Sequence, residues 1–437
     1  VLLRFRVANH QSIRELVELS LVSTRLTGAK PADDDWVSAT TRVAGIYGAN
    51  ASGKSTVLDA LHFLVLAVGK SATAWGDREY FPHYPFALDD ESGERSSLYE
   101  TDIVLNDVRL TYGFESSSRG IHKEWLYSYP TGRKRVLFER HGPDGSDIDF
   151  GRTLPGENVR ISRLLRPTAL YLSTAANSNH EFLSGVHRWI SRHIQYAQYT
   201  ETNRKARIRW VRNILENDKV LAQAVGLLRF ADLGITRMVL DVEEFDEKVV
   251  SMIKRVMDTI DDGSQGPIDK GQIIEDLKKR IRFEHSGSGS GRTFSLPLES
   301  ESSGTIAWLA LAVPALACLR NGDVFAVDEL DASLHPRLAA ALIGMFKDPE
   351  LNPLGAQLLF TSHETALLGQ TPEVGLSKDE VWFTEKGTDG ATDLFALAEF
   401  PVRPTDNFER RYLHGRYGAI PMVSQEELRA AVLQDGP

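Results

Sequence analysis

Three short stretches hold side chains whose types and spacing can do chemistry. Gly48-Ala49-Asn50-Ala51-Ser52-Gly53-Lys54-Ser55 fits the phosphate-binding pattern G-x-x-x-x-G-K-[ST]. Small residues there let successive backbone N–H groups turn inward around phosphate oxygens. A helix beginning near Thr56 adds unpaired N–H groups and the positive end of its dipole. On this reading Gly48, Asn50, Ser52, Gly53 and Thr56 line the phosphates, Lys54 reaches the terminal ones, and the Ser55 hydroxyl ligates Mg²⁺. The second stretch is Val324-Phe325-Ala326-Val327-Asp328-Glu329, an apolar run ending in two acids. Asp328 would hold Mg²⁺ beside Ser55, and Glu329 would orient and deprotonate an attacking water. The third, Gln357-Leu358-Leu359-Phe360-Thr361-Ser362-His363, ends an apolar run in an imidazole that could polarise that water.

These residues need elements to position them. Val43 to Tyr47 reads as a strand before the loop, and Thr56 to Val68 as a helix apolar nearly all round. Leu2 to Val7 and Val17 to Leu21 read as strands. Between 70 and 150 the apolar period becomes two, through Ile103, Leu105, Leu110, Tyr112, Phe114, Trp125, Tyr127 and Tyr129, as in an antiparallel meander turning at Asn106-Asp107. Ala169 to Ser173 reads as a short strand. From Phe182 to Ala197, Ala206 to Leu215, Lys219 to Phe230, Asp246 to Ile260 and Gln272 to Ile281 the spacing is helical. Arg204, Lys205, Arg207, Arg209 and Arg212 crowd one part of this region, as a solvated helix face or a contact for nucleic acid or a partner. His285 to Gly291 reads as a flexible connector. Ile306 to Leu319 is an apolar helix, Val324 to Val327 a strand, Leu334 to Phe346 a helix, Gln357 to Phe360 a strand, and Val381 to Thr384 and Leu394 to Leu397 a pair of strands.

The 437 residues carry a formal charge of −10, which does not favour indiscriminate nucleic-acid binding. The single cysteine, Cys318, excludes an internal disulfide and fits a cytoplasmic chain. No secretory signal is expected, and the longest apolar stretches, Leu58 to Val68 and Ile306 to Leu319, read as too short or interrupted to span a membrane. No Asn-Lys-x-Asp guanine motif is present.

In combination, the three motifs resemble those of ABC-type ATPases of the SMC, RecF and RloA-like group. Ser302-Ser303-Gly304-Thr305 looks like a reduced form of their signature motif. Asp331-Ala332-Ser333-Leu334-His335-Pro336 is similar to the loop that crosses their dimer interface, and Asn9 to Ser12 to the N-terminal turn that packs near the nucleotide. The RloA-like subgroup of anti-phage ATPases, related to the overcoming-lysogenization-defect proteins, is the nearest match, through Glu301 to Thr305, Asp328 to Pro336 and the tail from Tyr412 to Pro421. The resemblance implies an α/β ABC-type P-loop head, with a mixed central sheet, an antiparallel β-subdomain and an inserted helical subdomain. The implied segments are 1–175 and 291–400 for the two halves of the head, 176–290 for the insert and connector, and 401–437 for a tail. It implies ATP and Mg²⁺ as cofactors, slow hydrolysis with Lys54, Glu329 and His363 as catalytic groups, and a homodimer or higher oligomer. In that dimer Ser302 and Gly304 reach the γ-phosphate held by the opposite copy. The family's Mg²⁺- or water-reaching glutamine is best replaced here by Asn177. The short stretch after His363 leaves no room for a fused Toprim nuclease, so the effector, a nuclease or toxin, is expected as a separate protein, with DNA or a phage component as the signal. The alternatives are a RecF- or SMC-like DNA-repair ATPase and a nucleotide-dependent scaffold that sequesters a toxin. A membrane transporter subunit fits poorly.

Overall fold

The computed structural model describes residues 1–437 apart from 33, 77, 143–146, 232–233, 261–269, 288–291, 370–373, 404–405, 421–424 and 434–437. Its centre is a six-stranded sheet in the order Thr392–Ala396, Val381–Lys386, Val43–Gly48, Gln357–Thr361, Val324–Val327, Ile194–Ala197. All neighbours run parallel except the first pair, which is antiparallel. The middle strands are buried along their whole length, as a parallel sheet covered on both faces requires.

Alternation along those strands divides the core in two. Ala44, Ile46, Val324, Ala326, Leu359 and Trp382 face the cluster that includes the helix Lys54–Lys70. Val43, Tyr47, Phe325, Val327, Leu358, Phe360, Val381 and Phe383 face the opposite cluster, with the helices Ser303–Asn321 and Pro336–Lys347. Side chains at i and i+2 share a face, so one strand feeds both layers. The tail closes the second layer, where Tyr412 and Tyr417 stack on Phe383 with ring centroids 5.3 and 5.5 Å away.

A seven-stranded antiparallel sheet lies beside this unit, ordered Val17–Ser20, Leu2–Ala8, Ser97–Leu105, Val108–Ser117, Gly120–Ser128, Arg135–His141, Ile148–Phe150. Asn106 and Asp107 both have positive φ, 49° and 61°, and join their strands in a two-residue turn that follows the sheet's right-handed twist. The fold is thus an α/β P-loop head with a mixed sheet, an antiparallel β-subdomain and an inserted, mostly helical subdomain.

Several local expectations change. Ala169 to Ser173 is not a strand; Tyr171–Asn177 is a helix. Its first two backbone N–H groups donate to the buried carboxylate of Glu124, an N-terminal partner supplied from a distant strand. The helix expected over Phe182 to Ala197 stops at Arg192, and Ile194–Ala197 joins the edge of the central sheet. Within the insert, Ile235–Val242 and Lys279–Ser286 pair as strands, with Thr293–Pro297 beyond. His285 and Ser286 of the expected connector belong to that sheet, while residues 288–291 lie outside the described ones. The helix Ser303–Asn321 is 19 residues, longer than expected, and long and apolar enough to cross a membrane by those measures alone. Here it is a core helix, with Trp308 and Ala315 fully buried.

Candidate functional site

The strand Val43–Gly48 delivers the glycine-rich loop to the carboxyl edge of the sheet. Gly53 precedes the helix Lys54–Lys70 with φ 102°, a left-handed conformation that disfavours any Cβ, and Thr392 fills the space such an atom would need. At Gly48 a Cβ would strike the Thr384 backbone oxygen. The loop is therefore gripped from outside by the neighbouring hairpin. Ser52 Oγ lies 2.6 Å from Thr384 Oγ1, and Thr392 Oγ1 donates to the Ser52 carbonyl at 2.9 Å. Thr392 Oγ1 is also 2.8 Å from Ser12 Oγ, which lies 3.1 Å from Thr56 Oγ1. This hydroxyl chain ties the N-terminal turn, the loop and the hairpin together.

Lys54 is only 5% exposed. Its Nζ donates to the Gly48 and Ala49 carbonyls, each at 2.9 Å, and has no ion-pair carboxylate among the described residues. Burial pulls its pKa down to about 8, against the raising effect of Glu329, Asp328 and Asp331 nearby. A buried ammonium resting on two carbonyls beside a glycine-rich loop suits an incoming phosphate.

Asp328 and Glu329 follow the buried strand Val324–Val327. The Thr361 hydroxyl donates to Asp328 Oδ1 at 2.7 Å and accepts from the Glu329 N–H at 2.7 Å. One hydroxyl on the adjacent strand thus holds the Asp328 carboxylate and the Glu329 backbone. Glu329 sits at φ 53°, a costly conformation for a non-glycine residue, typically on the order of 1–3 kcal/mol, and one that clusters at functional sites. The Asp331 carboxylate accepts from the backbone N–H of His363 at 3.2 Å, which couples the third motif to the second.

The three motifs meet around one cavity of about 530 Å³, lined by Ser12, residues 50–56, Glu329, His363 and Lys386. Asn50, Ser52, Gly53, Lys54, Ser55 and Thr56 therefore stand in one wall, with Glu329 and His363 in the same enclosure. Gly48 contributes the carbonyl under Lys54, and Asp328 sits behind, 7% exposed. A glycine cradle, a buried lysine, a cavity hydroxyl at Ser55 and a nearby carboxylate form a donor set that fits a triphosphate with a divalent cation.

Not every expected residue comes to this place. Asn177 Nδ2 donates to the carbonyl of Ala72, beyond the far end of the 17-residue helix that starts at Lys54. At 1.5 Å per residue that is roughly 25 Å from Ser55, so Asn177 cannot join Ser55 in holding a metal ion. The strand-end position beside Asp328 belongs instead to Gln198, since Ala197 pairs with Val327 and Gln198 follows it. The expected helix over Phe182 to Ala197 hid the strand that leads to this residue. Ser302 and Gly304 are not in the cavity wall. Ser302 caps the helix Ser303–Asn321, accepting from the Thr305 N–H at 3.1 Å. A Cβ on Gly304 would come within 3.4 Å of the Ser333 carbonyl, so the two stretches expected to face a second copy are neighbours. Lys386, also in the cavity wall, lies in no motif and carries no local sequence signal.

The basic run does not form one free face. Arg207 Nη1 donates to the Gln198 carbonyl at 2.8 Å, Lys205 pairs with Glu201 at 2.7 Å, and Arg212 lies 3.7 Å from Glu299. Arg204 and Arg207 line a second, narrower cavity with Tyr199, Asp328 and Glu329.

A comparison with curated proteins finds no match. Among solved structures, the chain is similar to the SmcHead in its complex with the C-winged helix domain of ScpA, with TM-score 0.38 and 12% identity, over 90% of this chain and 97% of that one. Residues 43–369, which hold all three motifs, match a family of nucleotide-binding ATPase domains, and the chain belongs to that family, described as "AAA domain, putative AbiEii toxin, Type IV TA system".

Proposed function

We propose that this chain is a slow, regulatory ATPase that hydrolyses ATP to ADP and phosphate. The observation that carries the reading is the convergence of Lys54, Glu329 and His363 on one cavity at the glycine-rich loop. Lys54 and the loop N–H groups hold the phosphates, Glu329 takes a proton from the attacking water, and His363 faces the same space. The water oxygen bonds to the γ-phosphorus as the bond to the bridging oxygen breaks and ADP leaves. Ser55 and Asp328 would hold Mg²⁺, which neutralises charge on the phosphate oxygens. Gln198, at the strand end beside Asp328, is the candidate for the role that Asn177 cannot fill, and would have to leave Asn203, whose Nδ2 donates to its Oε1 at 2.8 Å.

Two copies close on the nucleotide, Ser302 and Gly304 of each facing the γ-phosphate of the other. The pairing state then controls a separate effector, a nuclease or toxin, in the cytoplasm of a prokaryote under phage attack. The family's description, which names a toxin–antitoxin system, supports a dedicated protein partner. The DNA-repair reading is weaker, since Arg207 and Arg212 of the basic run are engaged within the chain and the net charge is −10.

Glu329→Gln tests the catalytic assignment. Phosphate release should fall by at least about 100-fold, as for loss of a general base, while ATP binding by calorimetry persists. Hydrolysis at the wild-type rate would remove Glu329 from its role.

A further inference from the structure

We propose that Lys386 is a second phosphate-binding cation of the nucleotide site, a role that rests on the reading of the cavity as a nucleotide site. Lys386 ends the strand Val381–Lys386, which runs parallel to Val43–Gly48 with Thr384 opposite Gly48. Residues two apart on a strand share a face. Thr384 touches Ser52 of the loop, so Lys386 projects on the loop's side of the hairpin. It pairs across the hairpin with Thr392, the residue that grips the Ser52 carbonyl, and it lines the cavity with residues 50–56.

Its charge is unclaimed. Among the described residues, no carboxylate pairs with Lys386. The nearby acids are engaged elsewhere: Asp389 binds Arg14 at 2.6 Å, and Glu385, on the other face, accepts from the Ala419 N–H at 3.4 Å. The hairpin is also fixed in place, through Arg14 on one side and the Ser12–Thr392 contacts on the other. An uncompensated ammonium in the wall of a phosphate cradle supplies a charge-assisted hydrogen bond to the phosphate chain. Lys54, resting on the Gly48 and Ala49 carbonyls, lines the same cavity from the loop, so two cations from different elements meet the ligand.

The test is titration of the full chain with ATP and, separately, with inorganic tripolyphosphate, at two salt concentrations. Lys386→Ala should weaken both ligands by about tenfold, the worth of one charge-assisted hydrogen bond. Lys386→Glu should weaken them further, and Lys386→Arg should restore most of the affinity. The affinity of the wild type should fall more steeply with salt than that of Lys386→Ala. Lys386 is exposed, so unchanged melting curves should accompany these variants. Equal ATP and tripolyphosphate binding by wild type and Lys386→Ala overturns the assignment while leaving the site intact. A wild-type chain that binds neither ligand overturns the nucleotide reading and the role of Lys386 with it.

Discussion

Lys54 carries its charge inside the protein, and that makes nucleotide binding sensitive to pH. Its pKa of about 8 lies below the ordinary 10.5 because burial disfavours the charged form. Between those values the unfolded chain holds the extra proton, so the contribution of Lys54 to the stability of the ligand-free protein rises with pH through that window. Phosphate binding has the opposite sign, since it needs the ammonium. Affinity for ATP should therefore fall as pH rises through 8, and binding near pH 8 should take up protons. Calorimetry in two buffers of different ionisation enthalpy measures that uptake, and a binding heat independent of buffer would contradict it. Thr361 is the other decisive side chain at this scale, because its single hydroxyl serves both Asp328 and the Glu329 backbone.

At the scale of elements, the loop conformation is imposed from outside. The strand–loop–helix order builds the cradle, and the hairpin Val381–Lys386 with Thr392–Ala396 closes it. Gly53→Ala should show this dependence. An added Cβ meets both the left-handed φ and the Thr392 side chain, so stability should drop by about 1–3 kcal/mol, with ATP binding lost. Adding Thr392→Ala should recover part of the stability by opening space while leaving the backbone strain. Thermal melts with an ATP titration decide it, and full binding by Gly53→Ala alone would mean that the hairpin does not shape the loop. The helix Glu201–Ile214 reaches the same chemistry from the insert, through Arg204 and Arg207 beside Asp328 and Glu329.

For the whole molecule, the proposed second copy can be tested through Ser302. Its hydroxyl caps the helix Ser303–Asn321, and aspartate is an equally good cap. Ser302→Asp should therefore melt like the wild type. It should nonetheless abolish ATP-driven pairing, because it sets a carboxylate against the γ-phosphate of the other copy. Sedimentation of the Glu329→Gln background with ATP, with and without Ser302→Asp, reads the difference. Pairing that survives the substitution would show that Ser302 does not face the partner's nucleotide.

The sequence by itself determined the residues of the candidate site and most of their supports. Gly48 to Ser55, Asp328, Glu329 and His363 are legible because phosphate and metal chemistry restricts residue type at fixed local spacing, and the strands before them are short apolar runs. Asn106-Asp107 is legible for the same local reason. What tertiary structure alone decided is where distant segments meet. Ile194–Ala197 is a strand because the edge of a parallel sheet offered it a partner, and Tyr171–Asn177 is a helix begun on a carboxylate from another strand. Those two pairings displaced Asn177 from the site and put Gln198 beside Asp328. Lys386 entered the cavity through the register of a strand carrying no motif. Hydrogen-bond pairing between remote segments leaves little trace in local periodicity, so the residues it brings together are visible only in the folded chain.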